Sequence, residues 1–264
     1  MAKFCPLFSG SSGNCYYIGG QSGKGILIDA GVSAKRMTLA MNQMEINPAG
    51  IEAIFITHEH SDHINGLRVF ASNIGCKVYS SAGTLQNLHN MGHLSTRFKA
   101  DVIGDKGVEA AGMFIKPFAT PHDTTESIGY IIQTDDQKRA AVATDLGYIT
   151  DEIRMSLKGS NLVVIESNHD VGMLQNGRYP VYLKRRILSE RGHLSNDCCA
   201  AELPQLVKSG TTQIFLAHLS RENNLPQLAC QAALTALEAA QMHEKIDFTL
   251  EVAPVSQPQK VTIF

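Results

Sequence analysis

The run Thr57-His-Glu-His-Ser-Asp-His63 gathers four side chains of the kinds that bind metal ions. It continues the short apolar stretch from residue 51 to 57, which is predicted to be a strand. In an extended or loosely turned segment, residues two apart face the same way, so His58 and His60 can share one ion. Asp62 and His63 follow a turn and can point to a second. Imidazole nitrogen and carboxylate oxygen suit Zn²⁺, Mn²⁺ or Fe²⁺, and the run holds no thiolate. A surface histidine tract is the plainer reading. Such a tract would not end an apolar strand or carry its aspartate at this spacing.

Three more residues of ligand type stand just beyond apolar stretches. His122 follows Ala119-Thr-Pro121, Asp145 follows Ala141-Val-Ala-Thr144, and His218 follows Ile214-Phe-Leu-Ala217. In layered α/β folds, the loops after core strands gather where ligands bind. Asp29 ends the apolar stretch Ile26-Leu-Ile28 in the same manner.

The elements that must position these residues can be read from hydrophobic runs and turn residues. Strands are expected over 3–8, 15–18, 26–29, 51–57, 77–80, 113–120, 127–134, 139–143, 162–165, 213–217 and 248–251. Helices are expected over 33–44, 64–73, 82–91, 150–157, 197–208 and 226–241, with Ser33 as an N-cap and Pro226 in a first turn. There is no repeat and no low-complexity linker. The pattern predicts an α/β protein of two packed sheets covered by helices, in a single domain spanning residues 1–264.

Composition narrows the class. A chain of 264 residues, 44% hydrophobic and 18% charged, is ordinary for a globular protein and unlike a disordered one. A net charge of −2 argues against a generally basic nucleic-acid coat, though not against a locally basic groove. Six scattered cysteines lack disulfide-like or C-x-x-C spacing. No signal sequence and no apolar run of about 20 residues is seen, so a cytoplasmic protein without a membrane span is expected.

The histidine run resembles the signature of the metallo-β-lactamase fold superfamily, and His122, Asp145 and His218 fall in the order that superfamily uses for its other ligands. The resemblance implies an αββα four-layer sandwich with two divalent metal ions, Zn or Mn, with Fe as an alternative. It implies that His58, His60 and His122 hold the first ion, Asp62, His63 and His218 the second, with Asp145 bridging and Asp29 orienting the ligands. Such ion pairs activate water and clamp the attacking and leaving oxygens.

Four further segments bear on the substrate. Phe8-Ser-Gly-Ser-Ser-Gly-Asn14 offers hydroxyls, an amide and approachable backbone N–H groups, good chemistry for phosphate, though any turn has the same composition. Gly192-His-Leu-Ser195 precedes a helix and lies near Lys184, Arg185, Arg186 and Arg191. Those cations could hold a phosphate backbone or simply face solvent. Glu166-Ser-Asn-His-Asp170 and Ala217-His-Leu-Ser-Arg-Glu-Asn-Asn224 complete the set. Together the segments resemble the YycJ (WalJ) group of this superfamily, which implies a metal-dependent 5′-to-3′ exonuclease acting on DNA, with RNA as an alternative polymer. On that reading Asp62 and His193 are catalytic, with a hydroxide between the ions as nucleophile and His193 as proton donor to the leaving oxygen. Ser9, Ser11, Ser12, Asn14, His169, Lys184 and Arg185 are the expected substrate contacts. The stretch between Asp145 and His218 is too short for an inserted β-CASP domain, so the core and its loops must grip the strand. Hydrolysis of small cyclic phosphodiesters, of thioesters or lactones, and a non-catalytic partner role are the competing readings.

Overall fold

The computed structural model describes every residue except position 22. In chain order, the elements begin with β1 (Lys3–Phe8), β2 (Cys15–Gly19), β3 (Gly25–Ile28), α1 (Ala34–Gln43), β4 (Ile51–Phe55), α2 (Ser61–Ile64) and α3 (Leu67–Ile74). There follow β5 (Lys77–Ser80), α4 (Ala82–Asn90), β6 (Ala100–Val102), β7 (Val108–Ala110), β8 (Met113–Ala119), β9 (Ile128–Gln133) and β10 (Arg139–Ala143). The remainder are α5 (Asp151–Leu157), β11 (Leu162–Glu166), α6 (Val171–Asn176), α7 (Val181–Ile187), α8 (Asn196–Lys208), β12 (Gln213–Ala217), α9 (Pro226–Ala239), β13 (Thr249–Val252) and β14 (Thr262–Ile263).

The chain forms two compact units. The first comprises residues 1–117, 124–138 and 254–264, the second 118–123 and 139–253. The first unit holds a sheet ordered β14-β1-β2-β3-β4-β5-β6. Its pairings are antiparallel from β14 through β3 and parallel from β3 through β6. Strands β2 and β3 are buried along their whole length, which is why they read as continuous apolar runs rather than alternating ones. Leu27, Ile54 and Val78 from the sheet, with Met37, Met41, Leu67 and Phe70 from α1 and α3, lie in one apolar cluster.

The second unit is built on four parallel strands, β13-β12-β11-β10, with Val142 opposite Val164 and Val164 opposite Phe215. Helices α8 and α9 pack on each other. Short parallel strands place their C-terminal ends on one edge, and the loops there carry the polar residues: Asp145 after β10, Glu166 at the end of β11 and His218 after β12.

Two departures from the sequence reading matter for function. The helix expected over 64–73 is instead two helices broken at Asn65 and Gly66. A Cβ on Gly66 would lie 2.0 Å from the Val32 carbonyl oxygen, so this backbone approach admits only glycine. Asp62 and His63 sit inside α2, with His60 as its N-cap residue, rather than after an extended segment. The sequence reading also passed over β6, β7, β14, α6 and α7, which are too short to display a period.

Candidate metal centre and proton-transfer site

In the first unit the histidine run is anchored by strand ends. Asp29, just past β3, is fully buried and accepts hydrogen bonds from Thr57 N at 2.8 Å and from Thr57 Oγ1. Because a carboxylate only accepts, His63 Nδ1 donates to Asp29 Oδ2, at 2.7 Å. Burial raises the Asp29 carboxyl above its ordinary value, while its bonds with His63 and Thr57 pull it down. His58 Nδ1 lies 3.0 Å from Thr57 Oγ1, and its ring centroid is 4.7 Å from that of His60 and 4.1 Å from that of His63. The β9 strand supports the same loop from beside it: Ile128 N donates to Thr57 O at 3.1 Å and Tyr130 Oη to Ile56 O at 2.6 Å.

The Ser9–Asn14 turn is fastened to this loop. Asn14 is fully buried; its backbone N–H donates to Asp62 O at 2.8 Å and its amide nitrogen lies 3.0 Å from His63 Nε2. Ser9 is also buried, with its hydroxyl 2.9 Å from Tyr16 Oη, whereas Ser11 and Ser12 reach the surface. A Cβ on Gly31 would fall 1.7 Å from Asp62 O, so the chain can pass behind the histidine loop only as glycine.

In the second unit Asp145, Glu166, His193 and His218 each offer a ligand atom, all within 4.8 Å of one another. Glu166 is the hub. Its Oε1 lies 2.8 Å from Nδ1 of His193 and 2.8 Å from Nδ1 of His218. Its Oε2 accepts from Leu146 N at 2.7 Å and Leu194 N at 3.1 Å, tying together the loops that carry Asp145 and His193. Full burial alone would push the Glu166 carboxyl up, but His193 and His218 hold it far below the carboxylate range, so it is ionised. His122 Nε2 stands 3.7 Å from Asp145 Oδ1, and His122 Nδ1 donates to Gly192 O at 3.0 Å. Burial lowers the His122 pKa, against the pull of Asp145. Arg191 donates to the His122 carbonyl from Nε and Nη2, and Arg186 pairs with the neighbouring Asp123.

These bonds set the histidine tautomers. His58, His63, His122 and His218 each have Nδ1 beside an oxygen, which leaves Nε2 as the lone-pair nitrogen. Metal-binding histidines carry this arrangement, in which an oxygen partner on the far nitrogen fixes the ring and raises its basicity. The donor set therefore fits divalent ions. Asp29, Asp145 and His218 adopt left-handed backbone conformations, with φ of 62°, 61° and 55°. Strain of this kind collects at functional sites, and here it turns each side chain sharply from the end of its strand.

The other expected contacts are dispersed. Lys184 Nζ donates to Gln175 O at 2.8 Å, and Arg185 is exposed. His169 is 1% exposed with neither ring nitrogen hydrogen-bonded, and burial drives its pKa down to about 4. Its backbone carbonyl accepts from Asn196 N at 2.9 Å. Sequence reasoning gave no role to Glu166, Thr57 or Asn168, whose amide donates to His218 O at 2.8 Å. The available signal was a carboxylate closing the apolar strand Leu162–Glu166, the same signal that singled out Asp29.

The chain matches the family model described as the β-lactamase superfamily domain over residues 24–219. It is 40% identical over 238 residues to "Exodeoxyribonuclease YycJ" of Bacillus anthracis, covering 89% of each chain. It is 36% identical over 256 residues to "Exodeoxyribonuclease WalJ" of Streptococcus pneumoniae, covering 93% of this chain and 92% of that one. Among solved structures, the metallo-β-lactamase fold protein YhfI of Bacillus subtilis superposes with a TM-score of 0.72 at 14% identity, covering 98% of both chains. That likeness bears on fold alone; the sequence matches carry the kinship. This chain belongs to the metallo-β-lactamase fold superfamily, among its YycJ/WalJ-like members.

Proposed function

We propose that this protein is a 5′-to-3′ exonuclease that removes nucleotides from DNA. The broader activity, metal-dependent hydrolysis of phosphodiesters, rests on family membership, on the His/Asp clusters and on similarity to the two exodeoxyribonucleases. The ligand assignment belongs to the proposal: His58, His60 and His122 for one divalent ion, Asp62, His63 and His218 for another, with Asp145 common to both, in a single hydrolase domain. When bound, such ions supply an activated water and neutralise charge that develops on the phosphate.

The chain's own residues supply the rest. Glu166 holds His193 Nδ1 and so orients the ring with Nε2 as the nitrogen that gives the leaving oxygen its proton. Asp29 and Glu166 keep His63 and His218 in the tautomer that leaves Nε2 as ligand. Asp62 orients the attacking water. Ser11, Ser12 and Arg185, which reach the surface, are the proposed phosphate contacts. The observation that carries the reading is the Glu166–His193 pair: a proton donor on a buried carboxylate suits an alkoxide leaving group, which a thiolate does not require.

The test is release of mononucleotides from 5′-phosphorylated single-stranded DNA and RNA by the Mn²⁺-loaded protein, with Asp62→Ala as the blank. Wild-type-only release from the 5′ end is expected, faster on DNA. Hydrolysis of thioesters or cyclic phosphodiesters with both polymers left intact would overturn the proposal.

A further inference from the structure

We propose that the exposed face of α7 is a stacking platform for single-stranded nucleic acid, with Tyr182 as the base-stacking residue and Arg185 beside it for the backbone. The inference rests on the exonuclease reading and names the strand grip that the reading lacks. The segment from α6 to His193 is held to the second unit at several points. Lys184 Nζ is bonded to Gln175 O at the end of α6, and Arg186 is paired with Asp123. Beyond α7, His193 N donates to Ile187 O at 2.9 Å, and a Cβ on Gly192 would meet Ile187 O at 2.2 Å. The helix is thus docked directly on the loop that carries the proton donor.

What this anchoring leaves outward is unusual for a solvated helix. Val181 is 64% exposed, Tyr182 74% and Leu188 47%. At 100° per residue, Val181, Tyr182, Arg185 and Leu188 fall on one face of the helix, opposite the buried Ile187. The side chains of Arg178 and Arg185 make no hydrogen bond or ion pair among the described residues. Between residues 178 and 191 the chain carries Arg178, Lys184, Arg185, Arg186 and Arg191, against the single anion Glu190. A second exposed aromatic, Tyr148, adjoins Gly147, where a Cβ would lie 2.0 Å from Glu190 O, at the far end of the same segment.

Exposed aromatic rings beside Arg178 and Arg185, which have no carboxylate partner among the described residues, match a ligand with π faces and negative charge together. Single-stranded nucleic acid has both, and its bases stack on aromatic side chains without regard to sequence. A duplex hides those faces. A protein partner would offer carboxylates to the cations but has no need of a tyrosine left 74% exposed.

The test measures binding of fluorescein-labelled dT12 by fluorescence anisotropy in an Asp62→Ala background, with and without Tyr182→Ala or Tyr182→Phe. Tyr182→Ala should raise Kd roughly five- to 150-fold, the range for loss of one stacked base, and Tyr182→Phe should stay near the parent. A blunt 12-base-pair duplex should bind all three alike. Equal dT12 affinity in all three proteins overturns the proposal, as does an equal loss on single strand and duplex. Hydrolysis separates the two readings. In the active protein, Tyr182→Ala should lower kcat/KM on the oligonucleotide relative to that on thymidine 5′-monophosphate p-nitrophenyl ester. If wild type cleaves neither substrate, the exonuclease reading fails while dT12 binding still decides the platform.

Discussion

Glu166 Oε1 lies 2.8 Å from His193 Nδ1, and the other oxygen of the same carboxylate receives two backbone N–H groups. The relationship turns an ordinary strand-end glutamate into the residue that fixes tautomers, because His218 Nδ1 shares Oε1 at the same distance. A carboxylate can accept four bonds and donate none. Both imidazoles are therefore compelled to present Nε2 to whatever binds beyond them.

Glu166→Gln tests that compulsion. The amide oxygen must face Leu146 N and Leu194 N, so the amide NH₂ faces both imidazoles and donates where the carboxylate accepted. His218 must then move its proton to Nε2, which removes the lone pair that the proposed ligand role needs. The expected result is a 10- to 100-fold loss in metal affinity or activity, the usual effect of removing a partner behind a ligand. Metal content by mass spectrometry and kcat on an oligonucleotide read it; unchanged values for both would dismiss the tautomer argument.

Asp29→Asn should act on His63 by a related route. Asp29 receives Thr57 N, Thr57 Oγ1 and His63 Nδ1, three donors on one buried carboxylate. An amide must turn its NH₂ toward at least one of them. We expect weaker metal binding, again by about 10- to 100-fold, with the fold retained by circular dichroism. Normal metal affinity in the variant would show that Asp29 merely caps its strand.

The contrast between these two carboxylates shows what the sequence made legible. Asp29 stands alone after an apolar strand and in order with the histidine run, so its support of the metal loop could be expected. Glu166 ends its strand in the same way, but His193 and His218, 27 and 52 residues further on, offer no motif that pairs them with it before the chain folds. The left-handed φ of Asp145 and His218 is one that Asp and His adopt more often than most residues, but residue type alone does not say which of them will. Asn14 reads like any turn residue until its amide is seen beside His63. The long strands and helices were legible because burial imposes a period. Helices α6 and α7 were not: each completes fewer than two turns, and α7 lacks the side-chain N-cap that marks the equally short α5 at Thr150.

His169 gives the last prediction. Its ring is 1% exposed, has no hydrogen-bond partner on either nitrogen, and is held neutral by burial down to a pKa of about 4. The unfolded chain takes up a proton there near pH 6.5. Between those values the unfolded state binds more protons than the folded one, so stability falls as pH drops from about 6.5 to about 4 and levels off below that. Above pH 6.5 this residue contributes no pH dependence. The full effect is about 3 kcal/mol, of which about 2 kcal/mol is reached by pH 5. Urea titrations of metal-free wild type and His169→Asn at pH 7.5 and pH 5 isolate it, because the other histidines titrate alike in both. The wild type should lose about 2 kcal/mol more than the variant over that interval. Parallel losses would mean that the imidazole accepts its proton in the folded protein, with a partner such as Glu166 close enough to stabilise the charge.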